Sequence, residues 1–463
     1  MTIWCPDLST HSGPRYKALA EAIDAAIGEG ALEPGRKLPP QRDLAYRLGV
    51  TVGTVSRAYA LAEQRGLVRG EVGRGTFVRS DDGAEGFRNR VMDGDDDLIK
   101  LTVNSQPDDG IKHLVASSLN RLAGSNWPIG ELLSYTPRIG LDKHREAAAG
   151  WASRIGTAFS PEQTLITGGA HQGIMTALAG LSRPGDTVLC EHLVYSGIKR
   201  IATRLGVNLL GVGLDHEGLG PDALDAACRA SGARILIINP TAHNPTTYTM
   251  PEERRKAIAT IAKRHDLILV EDDVYGHLPE DRPPPFVELL PERTVYITTA
   301  SKIVAPNLRF GVLIAPERVF DRLADAQSDL FLICPALMAA LFTQWLDDGT
   351  ADDLVQRQRV EAAARQALAA DCLAGIAYDA QPLSYHLWLP LPDPWRSSTL
   401  VNALSQRGVA VDPAFLFAVG PLAEPHAVRI SLSAAKTRER LRRALETVRD
   451  VLVAGPISRS DTI

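Results

Sequence analysis

Lys302 stands in Tyr296-Ile-Thr-Thr-Ala-Ser-Lys-Ile-Val-Ala-Pro-Asn-Leu-Arg-Phe-Gly311, directly after a run of β-branched residues and among small hydroxyl side chains. A primary amine at a strand end lies where open α/β sheets keep their ligand crevices. Thr299, Ser301 and Arg309 stand within reach of the same anion. Upstream, Leu165-Ile-Thr-Gly-Gly-Ala-His-Gln-Gly173 passes from an apolar run into a helical pattern through small residues. That arrangement aims free backbone N–H groups at a phosphate. It lacks the Gly-Lys-Ser/Thr of a nucleotide loop.

Glu271-Asp272-Asp273-Val274-Tyr275 closes another apolar run. An acid and a tyrosine there suit a pyridinium ring, one keeping the ring nitrogen protonated and the other hydrogen-bonding its phenolic oxygen. Asn239-Pro-Thr-Ala-His-Asn244-Pro-Thr246 offers an amide to the same oxygen, and Tyr195 offers a ring for stacking. Arg429, in Ala427-Val-Arg-Ile-Ser431, suits bidentate binding of a carboxylate.

The elements that must position these groups are short apolar strands alternating with helical segments. Thr187–Cys190, Ile235–Ile238, Leu267–Val270 and Thr294–Thr298 are the clearest. The alternation predicts a mostly parallel sheet wrapped by helices, an α/β fold.

The first eighty residues read differently. Leu19, Ile23 and Ile27 share one face of a helix from Tyr16 that stops at Gly28; a second helix runs Gln41–Leu48 and a third from Val50 to Gly66. Leu67–Arg69 and Gly75–Val78 predict two small strands, completing an α+β winged helix-turn-helix with Arg74 at the tip of its wing. Thr51, Thr54, Ser56 and Arg57 face outward at the start of the third helix, as a major-groove reader requires. Arg36, Lys37, Arg42 and Arg74 would hold flanking phosphates of double-stranded DNA.

Residues 1–80 carry 11 Lys plus Arg against 8 Asp plus Glu, leaving a balance of −8 elsewhere in a chain of net charge −5. A basic segment on an acidic body fits a polyanion partner for that segment alone. Residues 80–97 are polar, Gly-bearing and acidic, a flexible linker between domains at 1–79 and 98–463. Five scattered cysteines without a Cys-x-x-Cys pair argue against a disulfide framework or a metal site and fit a cytoplasmic protein. The longest apolar stretch, Leu330–Phe342, is too short to span a bilayer.

The first segment resembles the GntR family of bacterial regulators through its Pro-Gly, Leu-Pro, Arg-x-Leu-Ala, Gly-Val and Thr-Val-x-x-Ala pattern, with Arg57-Ala58-Tyr59 preserving the family's Arg-x-Ala-Tyr position. The remainder, from about Leu98 to Leu452, resembles the class I aminotransferases of fold type I. Together they resemble the MocR-type regulators. The resemblance implies pyridoxal phosphate as cofactor, held as an internal aldimine on Lys302. It further implies Asp272 on the pyridine nitrogen, Tyr275 and Asn244 on the ring hydroxyl, and Tyr195 stacked on the ring. Gly169, Ala170, Thr299, Ser301 and Arg309 would take the phosphate, with Tyr135 reaching the phosphate of a neighbouring subunit and Arg429 clamping a carboxylate. It implies a homodimer, including a swapped form with each winged helix over the partner's large domain, and an amino acid or amine effector. Thr247 replaces the usual glycine after Asn-Pro-Thr, and His171 stands where glutamine is common. A working aminotransferase with an accessory DNA-binding domain remains the alternative, because the groups for a first proton transfer are all present.

Overall fold

The computed structural model describes residues 4–8, 14–28, 31–33, 36–64, 67–71, 75–78, 98–106, 111–124, 129–332, 334–420, 422 and 424–456. Arg74 and the expected linker, 80–97, lie outside them. The chain divides into two compact units, one of Met1–Asp96 with Gly420–Pro425 and the other of Asp97–Val419 with His426–Ile463.

The first unit holds α1 (Arg15–Gly28), α2 (Gln41–Leu48), α3 (Val52–Gln64) and a hairpin of β1 (Val68–Glu71) with β2 (Gly75–Val78). Leu19, Ile23, Leu44, Val55, Ala58 and Tyr59 form its core, as their helical spacing requires. Gly49 ends α2 at φ +62°, a left-handed conformation that glycine adopts without steric cost. α3 begins at Val52 rather than Val50 because Thr51 caps it: its Oγ1 accepts the Thr54 N–H at 3.2 Å. β1 and β2 pair antiparallel from Val68↔Val78 to Glu71↔Gly75.

The second unit is built on a seven-stranded sheet. Its strands are β4 (Thr164–Thr167), β5 (Thr187–Glu191), β6 (Asn208–Val212), β9 (Ile235–Ile238), β10 (Ile268–Asp272), β11 (Thr294–Thr299) and β12 (Gly311–Ile314). The order is β4-β12-β11-β10-β9-β5-β6. β12 alone runs antiparallel to both its neighbours, so the sheet is mostly parallel. β4, β9, β11 and β12 are buried along their whole length, which is why they read as unbroken apolar or β-branched runs.

A second sheet of four strands has the order β13-β15-β14-β3, with β3 at Ile99–Leu101, β13 at His386–Pro390, β14 at Val409–Pro413 and β15 at Ala427–Ser431. A two-residue ladder, β7 (Leu214–Asp215) with β8 (Gly218–Leu219), completes the strands. β3 pairs parallel with β14, and the segment following it, Thr102–Gln106, leads to the site described next. Among the described residues no helix is long and apolar enough to cross a membrane.

Candidate functional site

β11 ends at Thr299, and a single turn, Ala300–Lys302, carries the chain out of the sheet. Thr299 caps that turn by accepting the Ser301 N–H at 3.1 Å, and its own hydroxyl donates to the Phe310 carbonyl at 2.8 Å. The cap fixes the direction in which Lys302 leaves the strand. Lys302 Nζ donates to the Asn104 carbonyl at 2.7 Å. Burial, reinforced by the Arg429 guanidinium, pulls its pKa down to about 8. A larger share of it is therefore the free amine at neutral pH than an exposed lysine offers.

Asp272 is the last residue of β10, which runs two residues further than its apolar core suggests because Asp272 still pairs with Ile297 of β11. Its carboxylate is 5% exposed and Oδ1 has no hydrogen-bond partner. Burial, with Asp273 and Glu191 nearby, raises its pKa to about 7. A buried carboxylate oxygen without a partner calls for a donor or a positive charge.

Tyr275 follows at the same sheet end, its hydroxyl accepting from Asn104 Nδ2 at 2.9 Å. The phenolic proton is thereby left to be donated elsewhere. Asn104 Nδ2 also lies 2.9 Å from His386 Nδ1. His386 Nε2 faces the His243 carbonyl at 3.1 Å, which accepts only, so Nε2 carries the proton and Nδ1 accepts from Asn104. Burial holds this imidazole neutral by pushing its pKa well below the usual value. Asn239 joins the next pair: its Nδ2 donates to the Asp272 carbonyl at 2.6 Å and its Oδ1 accepts the Asn244 N–H at 2.8 Å.

The anion corner forms where β4 turns into the helix Ala170–Leu181. Gly169 caps that helix at φ +96°, and a Cβ there would stand 2.8 Å from Arg309 Nη2. Only glycine permits both the conformation and the approach. Arg309, itself at φ +47°, donates to the Gly168 carbonyl. The first N–H groups of the helix have no intrahelical acceptor, and Ser301 Oγ is buried without a partner. Together these make a cradle for a phosphate.

Arg429 lies on β15 opposite Asp412 of β14 and Trp388 of β13. Its Nη1 donates to Asn244 Oδ1 at 2.7 Å, and its Nη2 donates to both Asp412 Oδ2 and the Thr102 carbonyl. Phe417 stacks against the guanidinium at 4.8 Å. Because the Asn244 oxygen faces Arg429, its Nδ2 hydrogens remain for another acceptor.

These contacts bring Lys302, Asp272, Tyr275, Asn244, Arg429, Gly169, Ala170, Ser301 and Arg309 to one end of the two sheets. Tyr195 is half-buried at the start of the helix Ser196–Leu205, with the His171 ring edge-on at 6.2 Å. Thr299 is turned to structural use by its cap and carbonyl bonds. Tyr135 is 84% exposed. Thr247 keeps a left-handed φ of +69° without glycine, buried and donating its N–H to the His243 carbonyl at 2.7 Å.

Two family models match the chain. Residues 96–448 match aminotransferase class I and II, and residues 15–78 match the bacterial regulatory proteins of the gntR family. The chain belongs to the class I and II aminotransferase family. With the gntR segment ahead of that domain, its arrangement is consistent with the MocR type. It is 29% identical over 452 residues to the uncharacterised HTH-type transcriptional regulator YdeF of Bacillus subtilis, covering 97% of this chain and 96% of that one. It is 27% identical to the HTH-type pyridoxine biosynthesis transcriptional regulator PdxR of Corynebacterium glutamicum, covering 85% and 86%. The fold is that of Pyrococcus horikoshii kynurenine aminotransferase, at TM-score 0.72 and 21% identity over 81% of this chain and 95% of that structure.

The cofactor this family implies is pyridoxal phosphate, and the residues present fit it. The orphaned Asp272 oxygen suits a protonated pyridine nitrogen, the Tyr275 proton and Asn244 amide suit a ring oxygen, and the glycine cradle with Ser301 and Arg309 suits a phosphate. When bound, the cofactor supplies an aldehyde that condenses reversibly with primary amines. The residues around Lys302 set when its amine is available. Since that amine loses its proton near pH 8, capture of cofactor by cofactor-free protein is expected to accelerate from pH 7 to 9. Stopped-flow absorbance should place the inflection near 8; an inflection above 10 would mean that burial does not act on Lys302.

In the first unit, Arg42, Ser56 and Arg57 are exposed, and Thr51 and Thr54 share a hydrogen bond of 2.9 Å between their hydroxyls. Arg36 is exposed and donates to the Ala31 carbonyl at 2.9 Å, while Lys37 lies over the Phe77 ring at 5.8 Å. Sequence reasoning missed Asn104, His386, Asn239 and Asp412 as parts of the site. Only Asn239, within the quoted Asn-Pro segment, left a local signal.

Proposed function

We propose that this protein regulates transcription by coupling the state of its pyridoxal phosphate site to DNA binding by the winged helix. The observation that carries the reading is the pairing, in one chain, of an exposed helix-turn-helix reader with a part-buried lysine and a buried acid that keeps one carboxylate oxygen unpartnered. Lys302 holds the cofactor, Asp272 keeps its ring nitrogen protonated, and Tyr275 and Asn244 take the ring oxygen. Gly169, Ala170, Ser301 and Arg309 take the phosphate, Thr299 orients Ser301, and Tyr195 stacks on the ring. Tyr135 serves the second subunit of a homodimer. The effector is an amino compound that competes with Lys302 for the cofactor, and Arg429 meets its anionic group where it has one.

DNA responds only through a difference in the effector's affinity for two arrangements of the protein, and such couplings usually amount to about 1–3 kcal/mol. Footprinting upstream of the protein's own gene, with cofactor alone and with added amines, tests this. A footprint indifferent to both would overturn the coupling, and sustained exchange between amino and keto acids would favour the enzyme.

The DNA surface makes a separate prediction. Arg57→Ala is expected to lower discrimination between specific and random duplexes by about 1–3 kcal/mol. Lys37→Ala should weaken both alike and flatten the salt dependence. Equal losses from the two variants on both DNAs would contradict the placement of α3 in the groove.

A further inference from the structure

The donors of Arg429 are already largely engaged. Nη2, the nitrogen common to the side-on and end-on edges of the guanidinium, spends its two hydrogens on Asp412 Oδ2 and the Thr102 carbonyl. Nη1 spends one on Asn244. Nε is buried with no partner. A carboxylate binding either edge in the two-bond manner must therefore take an Nη2 hydrogen from one of these acceptors. The Thr102 carbonyl belongs to the backbone directly after β3, whose last paired residue is Leu101, whereas the Asp412 carboxylate is a side chain. Asp412 is 3% exposed and Arg429 5%, so a second carboxylate would add a negative charge beside the first with little water to screen it.

We propose that Asp412 determines specificity at this site: it is a resident carboxylate that competes with the effector's own carboxylate for Arg429. This rests on the reading of the site as a cofactor-borne amine sensor. The competition lowers affinity for amino acids relative to amines of the same skeleton. Where an amino acid does bind, its carboxylate exchanges for that of Asp412, on β14 directly across from Arg429. Asp412 is thus a specificity residue acting through Arg429, with no part in cofactor attachment.

The test compares L-alanine with ethylamine, which share an amino group and differ at the carboxylate. Apparent Kd values are read from the visible spectrum of cofactor-loaded wild type, Asp412→Asn and Asp412→Ser. Removing the resident charge is expected to tighten L-alanine binding roughly tenfold or more, leaving ethylamine unchanged. Parallel changes for both probes, or none for either, overturn the proposal. A spectrum that neither probe perturbs in any of the three proteins overturns the amine-sensor reading beneath it. Melting of the cofactor-free proteins with sodium propionate gives a second readout. Propionate should raise the Tm of both variants more than that of wild type, and an equal rise in all three counts against competition at Arg429.

Discussion

Lys302→Ala is expected to lose covalent attachment of the cofactor altogether while the protein keeps its fold. The Lys302 amine makes one bond, to the Asn104 carbonyl, from a site that already disfavours its charge. Its removal breaks no salt bridge, and the Asp272 carboxyl, which loses a nearby positive charge, can answer by holding its proton, so the usual route to a severe loss of stability is not opened. Borohydride reduction followed by peptide mass mapping should find the cofactor on the peptide containing residue 302 in the wild type and on none in the variant. The response of the DNA footprint to amines should vanish with it. A variant whose visible spectrum matched that of the wild type would remove Lys302 from its assigned role.

Asp272→Asn should have opposite effects on the loaded and the empty protein. In the empty protein the carboxyl titrates near 7 against an ordinary 3.8. A folded-state pKa above the unfolded one means that the stabilising, protonated form is complete below about pH 4 and is lost as pH rises through 7. The full displacement corresponds to roughly 4 kcal/mol, so above pH 7 the neutral amide should make the cofactor-free protein more stable by up to that order. In the loaded protein the amide cannot hold a ring proton as a carboxylate does, and cofactor retention should fall. Melting curves at pH 5 and 8, with and without cofactor, separate the two. An Asp272→Asn protein that melted lower than wild type when empty at pH 8 would show that this carboxylate is satisfied by its surroundings.

Much of this was legible in the chain. Lys302, Asp272 and Gly169 stand at the ends of short apolar runs, and the length and β-branching of those runs place their last residues at one edge of a parallel sheet. Three helices and a wing were legible for the same reason, since apolar spacing and Gly49 mark their faces and ends. What was not legible depends on pairing between distant segments. Asn104 acquires its role from partners 171 and 282 residues away, through a β3–β14 register that no local pattern encodes. Asp412 looks like one more acid until β14 is laid against β15. The cap at Thr51 moved the start of α3 by two residues because a hydroxyl bond, absent from hydrophobic periodicity, decides where that helix begins.

The reversed strand β12 fixes when, during synthesis, the protein acquires its cofactor site. β4 and β11 come to flank it from positions well over a hundred residues apart, and Arg309 reaches Gly169 only because the chain doubles back between β11 and β12. A chain that ends before β12 has the winged-helix elements, the last of which closes at Val78, but lacks the strand that joins β4 to β11 in the sheet. Under the proposed coupling, a product cut short before β12 is expected to keep the DNA-reading elements and to lose the response to cofactor.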